Sequence, residues 1–352
     1  MPRLVAAFDK FRGTATAAEA TAAAAGAARE AGWTADEIPM SDGGEGLLHA
    51  LGGSPRTTLV TGPLGEPVEA EWRLLEHDDR EGPGAVRTAV VEMSRAAGRA
   101  LMPHPHGDDP VRATTTGVGQ LLLAARDAGA RRIVIGCGGS ATTDGGRGAF
   151  EAVGSPDALH GIELVVASDV TTLFVDAAAV FGPQKGASPA QVEALSARLI
   201  DFAAQYNQET GVDVKPVPGA GAAGGLAGGL IALGAHIEPG FDLVASIVRL
   251  SDRLQSADLV VTGEGHLDPP SFEGKVPGGV LDLARARTRT AGRGPLPVLC
   301  VAGGVDRALL RSPPAGMEIV SLTRRFGRER ARGQTTALIH QVTAEALARF
   351  CP

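Results

Sequence analysis

The reading of the fold turns on Ala257–Gly265, ADLVVTGEG, in which four apolar or β-branched residues, Leu259 to Thr262, stop in glycine and acid. The run is too short for a helix, and its glycines supply the backbone freedom of a turn. Two runs of the same make follow, LPVLCVAGG (296–304) and MEIVSLT (317–323), with helix-compatible stretches between them. That alternation is the pattern of parallel βα units. The other end of the chain repeats it. RLVAAF (3–8) precedes an Ala-rich helix former that stops at Gly32, and DEIP (36–39) leads into MSDGGEG (40–46) and a helix-like GLLHALGG. Five strands thus come from the two termini.

Between them the texture changes. TTLVTGPLG, PVEAEWRLLE and AVRTAVVEMS are β-rich runs broken by Gly, Pro and the charged stretch EHDDREGPG (76–84), which predicts hairpins. Leu121, Leu122 and Ala125 are spaced as on a helix that stops at Gly129; Ile133–Ile135 and IELVVASD, ending at Asp169, then read as further strands. The sequence therefore predicts an α/β protein: a parallel-sheet domain formed by both termini, residues 1–62 and 252–352, with a second α/β domain containing a mixed sheet inserted at 63–251. Length alone also favours two domains, because 352 residues exceed most single cores.

Composition narrows the function. With 44% hydrophobic and 21% charged residues the chain is expected to be ordered, and at 4% aromatics its core must be built from Ala, Val, Leu and Ile. A formal net charge of -7 argues against nucleic-acid binding through bulk charge. Cys137, Cys300 and Cys351 are odd in number and far apart, which suits a reducing compartment and offers no zinc or disulfide framework. No signal-like run or membrane span is apparent, so a cytoplasmic protein without a membrane partner is expected; a homo-oligomer is compatible with these features.

Three loops share one design, an apolar run followed by glycines mixed with hydroxyls and acids: MSDGGEG, CGGSATTDGG (137–146) and TGEGHLDPPSFEGK (262–275). In open α/β sheets ligands sit beyond the carboxyl ends of strands, where glycine lets backbone N–H groups approach an anion. Three such loops point to one phosphate-sized site. Acids beside phosphate-binding backbone make sense with Mg²⁺, which is held by one or two carboxylates plus phosphate oxygens and water. Asp42, Glu45, Asp144, Asp169, Glu264 and Asp268 are the candidates. Lys10, Lys185 and Lys275 recur beside glycine or at strand ends, where a cation could neutralise a transferring phosphoryl group. No GxxxxGK[ST], HExxH or GxSxG occurs. GAGAAG (219–224) fits GxGxxG, but DVKPVP before it makes a poor buried strand, so close packing or a hinge is favoured over a dinucleotide site.

The ordered set FDKFRGTATAAEA, IPMSDGGEG, VEMSRAAGRALMP, TTTGVGQLLLAARDAGARRIVIGCGGSATTDGG, VFGPQKGA, PGAGAAGGLAGGL and ADLVVTGEGHLD…GKVPGGV resembles the bacterial glycerate kinase family of type I nearly end to end. The resemblance implies transfer of the γ-phosphoryl group of ATP to the 2-hydroxyl of D-glycerate with Mg²⁺. It also implies a flavodoxin-like domain carrying an inserted α/β domain. The chain departs from the family pattern at Ser168 and Thr172, in a shortened segment between Gly148 and Glu163, and at His266, Pro270 and Ser271, where His266 replaces an arginine. A histidine there lacks a permanent charge and a bidentate fork.

Loop chemistry and resemblance together give an expected site. Asp42, Glu45 and Asp144 would hold the metal. Ser41, Gly43, Gly44, Glu45, Gly139, Ser140, Glu264 and Lys275 would bind the nucleotide. Lys10 and Lys185 would balance the charge of phosphate and substrate carboxylate, and Asp169 or Asp268 would accept the hydroxyl proton. A kinase for another small hydroxy acid or polyol, and a non-catalytic nucleotide- or organic-acid-binding relative, are the alternative expectations.

Overall fold

A computed structural model describes residues 1–76, 86–102, 104–107, 109–290 and 295–349, apart from the side chains of 288–290. Most of the charged stretch (77–85), Pro103, Asp108 and Cys351 thus lie outside the described residues. In chain order the strands are β1 (Arg3–Phe8), β2 (Thr34–Glu37), β3 (Ser54–Thr61), β4 (Pro67–Leu75), β5 (Thr88–Glu92), β6 (Arg132–Gly136), β7 (Glu163–Ala167), β8 (His236–Glu238), β9 (Leu259–Gly263), β10 (His266–Leu267), β11 (Val298–Ala302), β12 (Gly304–Val305) and β13 (Met317–Ser321). They divide between two compact units, one of Met1–Asp42, His49–Leu51 and Gly240–Pro352, the other of Gly43–Leu48 and Gly52–Pro239.

The first unit is built on a parallel sheet of order β13-β11-β9-β1-β2. Counting only its own strands along the chain, the order is 2-1-3-4-5, the flavodoxin-like arrangement, with its reversal between β1 and β9. Parallel sheets bury both faces, and the central strands β1, β9 and β11 are buried almost throughout, while the edge strand β2, TADE, is polar and partly exposed. Leu4, Ala6 and Phe8 face the helix Ala17–Glu30, whose Ala20, Ala24 and Ala28 recur every four residues, and the helix Thr335–Leu347 with Leu338, Ile339 and Val342. Small alanines let helix and sheet approach closely without aromatic filling. The helix Val276–Thr290 packs against β1 and β9, and Val5 and Val260, on the alternate strand positions, are equally buried. Thr16 and Glu19 form a reciprocal capping box that starts the helix Ala17–Glu30.

The second unit carries a six-stranded mixed sheet of order β3-β4-β5-β6-β7-β8, antiparallel from β3 to β5 and parallel from β5 to β8. Its own core gathers Trp72, Leu121, Leu122, Ile133, Phe174 and Tyr206. Tyr206 lies 5.1 Å from Phe150 and edge-on to Phe174, and its hydroxyl donates to the Gly145 carbonyl at 3.0 Å.

Two boundaries differ from the sequence reading. The expected first domain runs to residue 62, but β3 pairs antiparallel with β4 from Ser54↔Leu74 to Thr61↔Pro67 and so belongs to the second sheet. The helix Gly240–Ile247, expected in the insert, falls in the first unit. The DEIP strand sits two residues earlier than expected, at Thr34–Glu37, and beyond it the Ile38 and Met40 amides still donate to the Ala6 and Phe8 carbonyls, both at 2.9 Å.

Candidate active site

In the first unit the carboxyl ends of the parallel strands open on one cleft of about 1220 Å³. Asp9 and Lys10 follow β1, Asp42 lies beyond β2, Glu264 follows β9, Gly303 and Gly304 follow β11, and Ser321 and Thr323 close β13; all of them line it. The strand reversal between β1 and β9 puts Asp9 and Glu264 at the switch point, where open sheets bind ligands. Arg12, Arg307, Arg311, Arg324, Arg328 and Arg332 complete the wall with Lys275 and His266. Eight permanent cations thus face three carboxylates, a positive excess of five in a chain of net charge -7. None of the six arginines has an ion-pair partner among the described residues.

The acids of this cleft are strained electrostatically. Lys10 Nζ lies 3.5 Å from Asp9 and 3.7 Å from Asp42. A carboxylate beside an ammonium would ordinarily fall in pKa, yet burial prevails and, with Asp42 nearby, pushes Asp9 up to about 6. Burial also pushes Glu264 up to about 7, opposed by a hydrogen bond with Ser271 and reinforced by Asp9. One oxygen of Glu264, Oε1, is buried with no hydrogen-bond partner. Burial works against the Lys10 ammonium, but Asp9 and Asp42 outweigh it and raise its pKa. His266, exposed on the cleft wall, reaches Asp306 at 3.2 Å through Nε2.

Ser41 is fully buried and off the cleft wall, its hydroxyl unpartnered. Asp268 also stands off the wall: its Oδ1 accepts from the Ser271 amide at 3.0 Å and hydroxyl at 2.8 Å, capping the turn Pro269–Phe272. One of its two carboxylate oxygens is thus engaged in the cap.

The remaining expected residues lie in the second unit. Gly43 and Gly44 pack against the ends of β6 and β7. A Cβ on Gly43 would sit 2.8 Å from the Ala167 carbonyl, and one on Gly138 would sit 2.6 Å from Gly44 Cα. The two glycine loops are therefore thin because backbone meets backbone. The Gly46 and Leu48 amides both donate to Glu92 Oε1, at 2.8 and 3.1 Å. Glu45 is exposed, and Asp169 is exposed just beyond β7.

Asp144 is not placed as a metal ligand. Its Oδ2 accepts from the Thr115 amide and hydroxyl, both at 2.8 Å, and from the Gly148 amide at 3.2 Å; Oδ1 accepts from the Gly146 amide at 3.1 Å. The carboxylate is saturated by two helix starts, those of Thr116–Asp127 and Arg147–Val153. Lys185 is 5% exposed, donates to Thr142 O and to Ser140 Oγ, and lines a separate cavity of about 260 Å³ with Arg99, Met102, Pro105 and Ala141. Burial pulls its pKa down to about 7, with Asp144 opposing and Arg99 adding to the shift. Gly139 holds a positive φ of 73° at the turn before Ser140.

GAGAAG is a packing element: no strand precedes it, and Cβ atoms on Gly221 and Gly224 would lie 2.4 and 2.0 Å from the carbonyls of Leu173 and Thr142. Among the described residues, the group of three potential ligands within 4.8 Å of one another is the surface trio Glu163, His236 and Glu238. Arg132 stands 3.2 and 3.7 Å from its two carboxylates and meets their charge. No described helix is long and apolar enough to cross a membrane.

Sequence reasoning overlooked Asp9, Glu92, Arg99 and the arginine wall. Asp9 had a signal, since it is the first residue after a buried strand. The arginines had none, being scattered over residues 12 to 332 and gathered only by the topology.

Comparison with known proteins agrees with this arrangement. The glycerate kinase family profile matches residues 4–158 and 155–351. A glycerate 2-kinase of Escherichia coli K12 is 38% identical over 304 residues, 76% of each chain, and a glycerate kinase of Bacillus subtilis 168 is 35% identical over 343 residues, 87% of this chain and 86% of that one. The crystal structure of a Salmonella typhimurium LT2 protein, provisionally assigned as glycerate kinase 2, superposes with a TM-score of 0.77 at 32% identity over the whole of both chains. Members of this family are kinases, phosphotransferases with an alcohol acceptor and a small-molecule substrate. With matches over both units and a flavodoxin-like sheet ending in a cationic cleft, the chain belongs to the glycerate kinase family.

Proposed function

We propose that this protein transfers the γ-phosphoryl group of ATP to the 2-hydroxyl of D-glycerate, with Mg²⁺, and that its two compact units act as its two domains. The observation that carries the reading is the cleft at the switch point of the first sheet, with five positive charges in excess and carboxylates at its floor. A nucleoside triphosphate is the common polyanion that such a wall complements, and the cleft has the volume for one. The 2-hydroxyl follows the E. coli relative named a glycerate 2-kinase.

The residues fit a magnesium ion. Asp42, Asp9 and Glu264 supply hard oxygen donors, and the unpartnered Glu264 Oε1 is a buried acceptor that a cation would satisfy. Mg²⁺ bound there would neutralise charge on the phosphoryl oxygens. Lys10, held between Asp9 and Asp42, stays protonated and offers its ammonium to the phosphate chain. The arginine wall binds and orients the remaining phosphates. Asp169, exposed at the end of β7, takes the acceptor's proton, since Asp268 has one carboxylate oxygen engaged in its cap.

The test is turnover of purified protein with ATP, Mg²⁺ and D-glycerate, the product position read by phosphorus NMR. A 2-phosphoglycerate signal is expected, together with a fall of roughly 10²-fold or more in kcat/KM for Asp42→Asn. Formation of 3-phosphoglycerate, or of no phosphoglycerate, overturns the assignment. His266 and its partner Asp306, at a position where the family resemblance places arginine, favour a second reading as a kinase of another small hydroxy acid; a substrate panel distinguishes it.

A further inference from the structure

The second unit contains a cation pair that the donor cleft does not use. Lys185 is among the most buried charged side chains of the chain, and a buried ammonium needs a compensating anion. Its neighbour Asp144, held by four hydrogen bonds, favours the charged form, but burial outweighs it. Across the same cavity stands Arg99, a second cation with no ion-pair partner among the described residues. The backbone has been shaped to admit the ammonium. Gly224 passes so close that a Cβ there would lie 2.8 Å from Lys185 Nζ, and Thr142 O and Ser140 Oγ take two of its three N–H groups. One donor is left for the cavity.

Arg99 is held by its surroundings. Its amide donates to Gly139 O at 2.8 Å, and the Ala141 amide donates to Ala97 O at 2.9 Å, so the segment Gly98–Arg99 is laced to the loop that carries Ser140. The backbones that carry the two cations are therefore tied together, while the Arg99 side chain is exposed. The cavity between them, about 260 Å³, lies below the usual range for nucleotide-sized ligands and suits a small acid with its water.

We propose that this cavity binds the carboxylate of a small hydroxy-acid acceptor between Lys185 and Arg99, and that Arg99 determines the preference for acids over neutral polyols. The proposal rests on the reading of the protein as a kinase whose phosphoryl donor occupies the other unit's cleft. An Arg fork and a Lys point charge converging on one carboxylate give both orientation and charge selection. Arg99 lies at the surface of a short turn, so its replacement does not disturb a core.

The experiment is calorimetric titration of D-glycerate, glycerol and inorganic phosphate into the wild-type protein, Arg99→Met and Arg99→Lys, with steady-state kinetics alongside. Wild-type protein should bind D-glycerate at least 100-fold more tightly than glycerol. Arg99→Met should weaken D-glycerate at least tenfold and raise its KM, while leaving the KM for ATP within about twofold; Arg99→Lys should restore part of the loss. Unchanged D-glycerate affinity in Arg99→Met overturns the site, as does inorganic phosphate binding in it as tightly as the acid. If glycerate is not phosphorylated but Arg99→Met raises KM for whichever hydroxy acid is, the glycerate assignment fails and the carboxylate site stands. If glycerate is turned over with an unchanged KM in Arg99→Met, the kinase reading stands and the site fails.

Discussion

Lys185 shows how one buried charge can lower stability. Burial holds its folded pKa near 7, well under the 10.5 of an exposed lysine. Between those values the unfolded chain binds a proton that the folded protein does not, so stability rises with pH through that window. Below about pH 7 both states are protonated, and the full cost of burying the charge is present. Lys185→Met keeps the length and apolar bulk of the side chain and removes that cost. It should raise the melting temperature by a few degrees at pH 6.5, with the difference shrinking toward pH 9, while kcat/KM for the acid falls roughly 10²-fold. Melting curves of the two proteins across that pH range check it; parallel curves would remove the buried charge from the account.

At the scale of elements, packing and chemistry call for the same kinds of loop residue, and Asp144 offers a test that separates the two. Its carboxylate joins the start of the helix Thr116–Asp127 to the start of Arg147–Val153 through four hydrogen bonds. Asp144→Asn replaces one acceptor oxygen by an NH₂ that faces amide donors, so the variant should lose about 2–3 kcal/mol of stability. Its Mg²⁺ dependence should stay that of the wild type, whereas a metal ligand would shift the Mg²⁺ concentration for half-maximal activity; denaturation and a Mg²⁺ titration read the two. This explains how far the sequence could be read. The central strands β1, β9 and β11 were legible because each is a buried run ending in glycine or acid, the edge strand β2 was displaced because it is polar and partly exposed, and the hairpins were legible because β-rich runs alternate with turn residues. The loops were legible as special but not in their purpose. Glycines that admit a phosphate and glycines that admit another backbone, as Gly43 and Gly138 do, are identical in one dimension. Asp268 looked like a free acid in sequence because its partner Ser271 forms a cap only once the turn is folded, and Arg99 and Lys185 stand 86 positions apart until the second sheet brings them to one cavity.

On the scale of the whole molecule, two separate cores underlie the two units. The cluster around Leu4, Phe8, Val261 and Ile339 shares no residue with the one around Trp72, Leu121, Phe174 and Tyr206. Each sheet closes on its own helices, so each unit has the apolar interior that cooperative unfolding needs. The charge is divided as well: the first unit's cleft is strongly cationic within an acidic chain, while the cavity of the second holds two cations in a much smaller space. Ligands of different size and charge should then stabilise different units. A ligand that binds only the folded form, at 100 times its Kd, adds about 2.7 kcal/mol. For units of this size that is a rise of roughly 5–10 °C in the transition of the unit it occupies. Scanning calorimetry should therefore resolve two transitions, with a non-hydrolysable ATP analogue plus Mg²⁺ raising one and D-glycerate raising the other. Arg99→Met should abolish the second shift and keep the first. A single transition moved equally by either ligand would mean that the two cores unfold as one and that the domain assignment has to be withdrawn, even with the kinase activity intact.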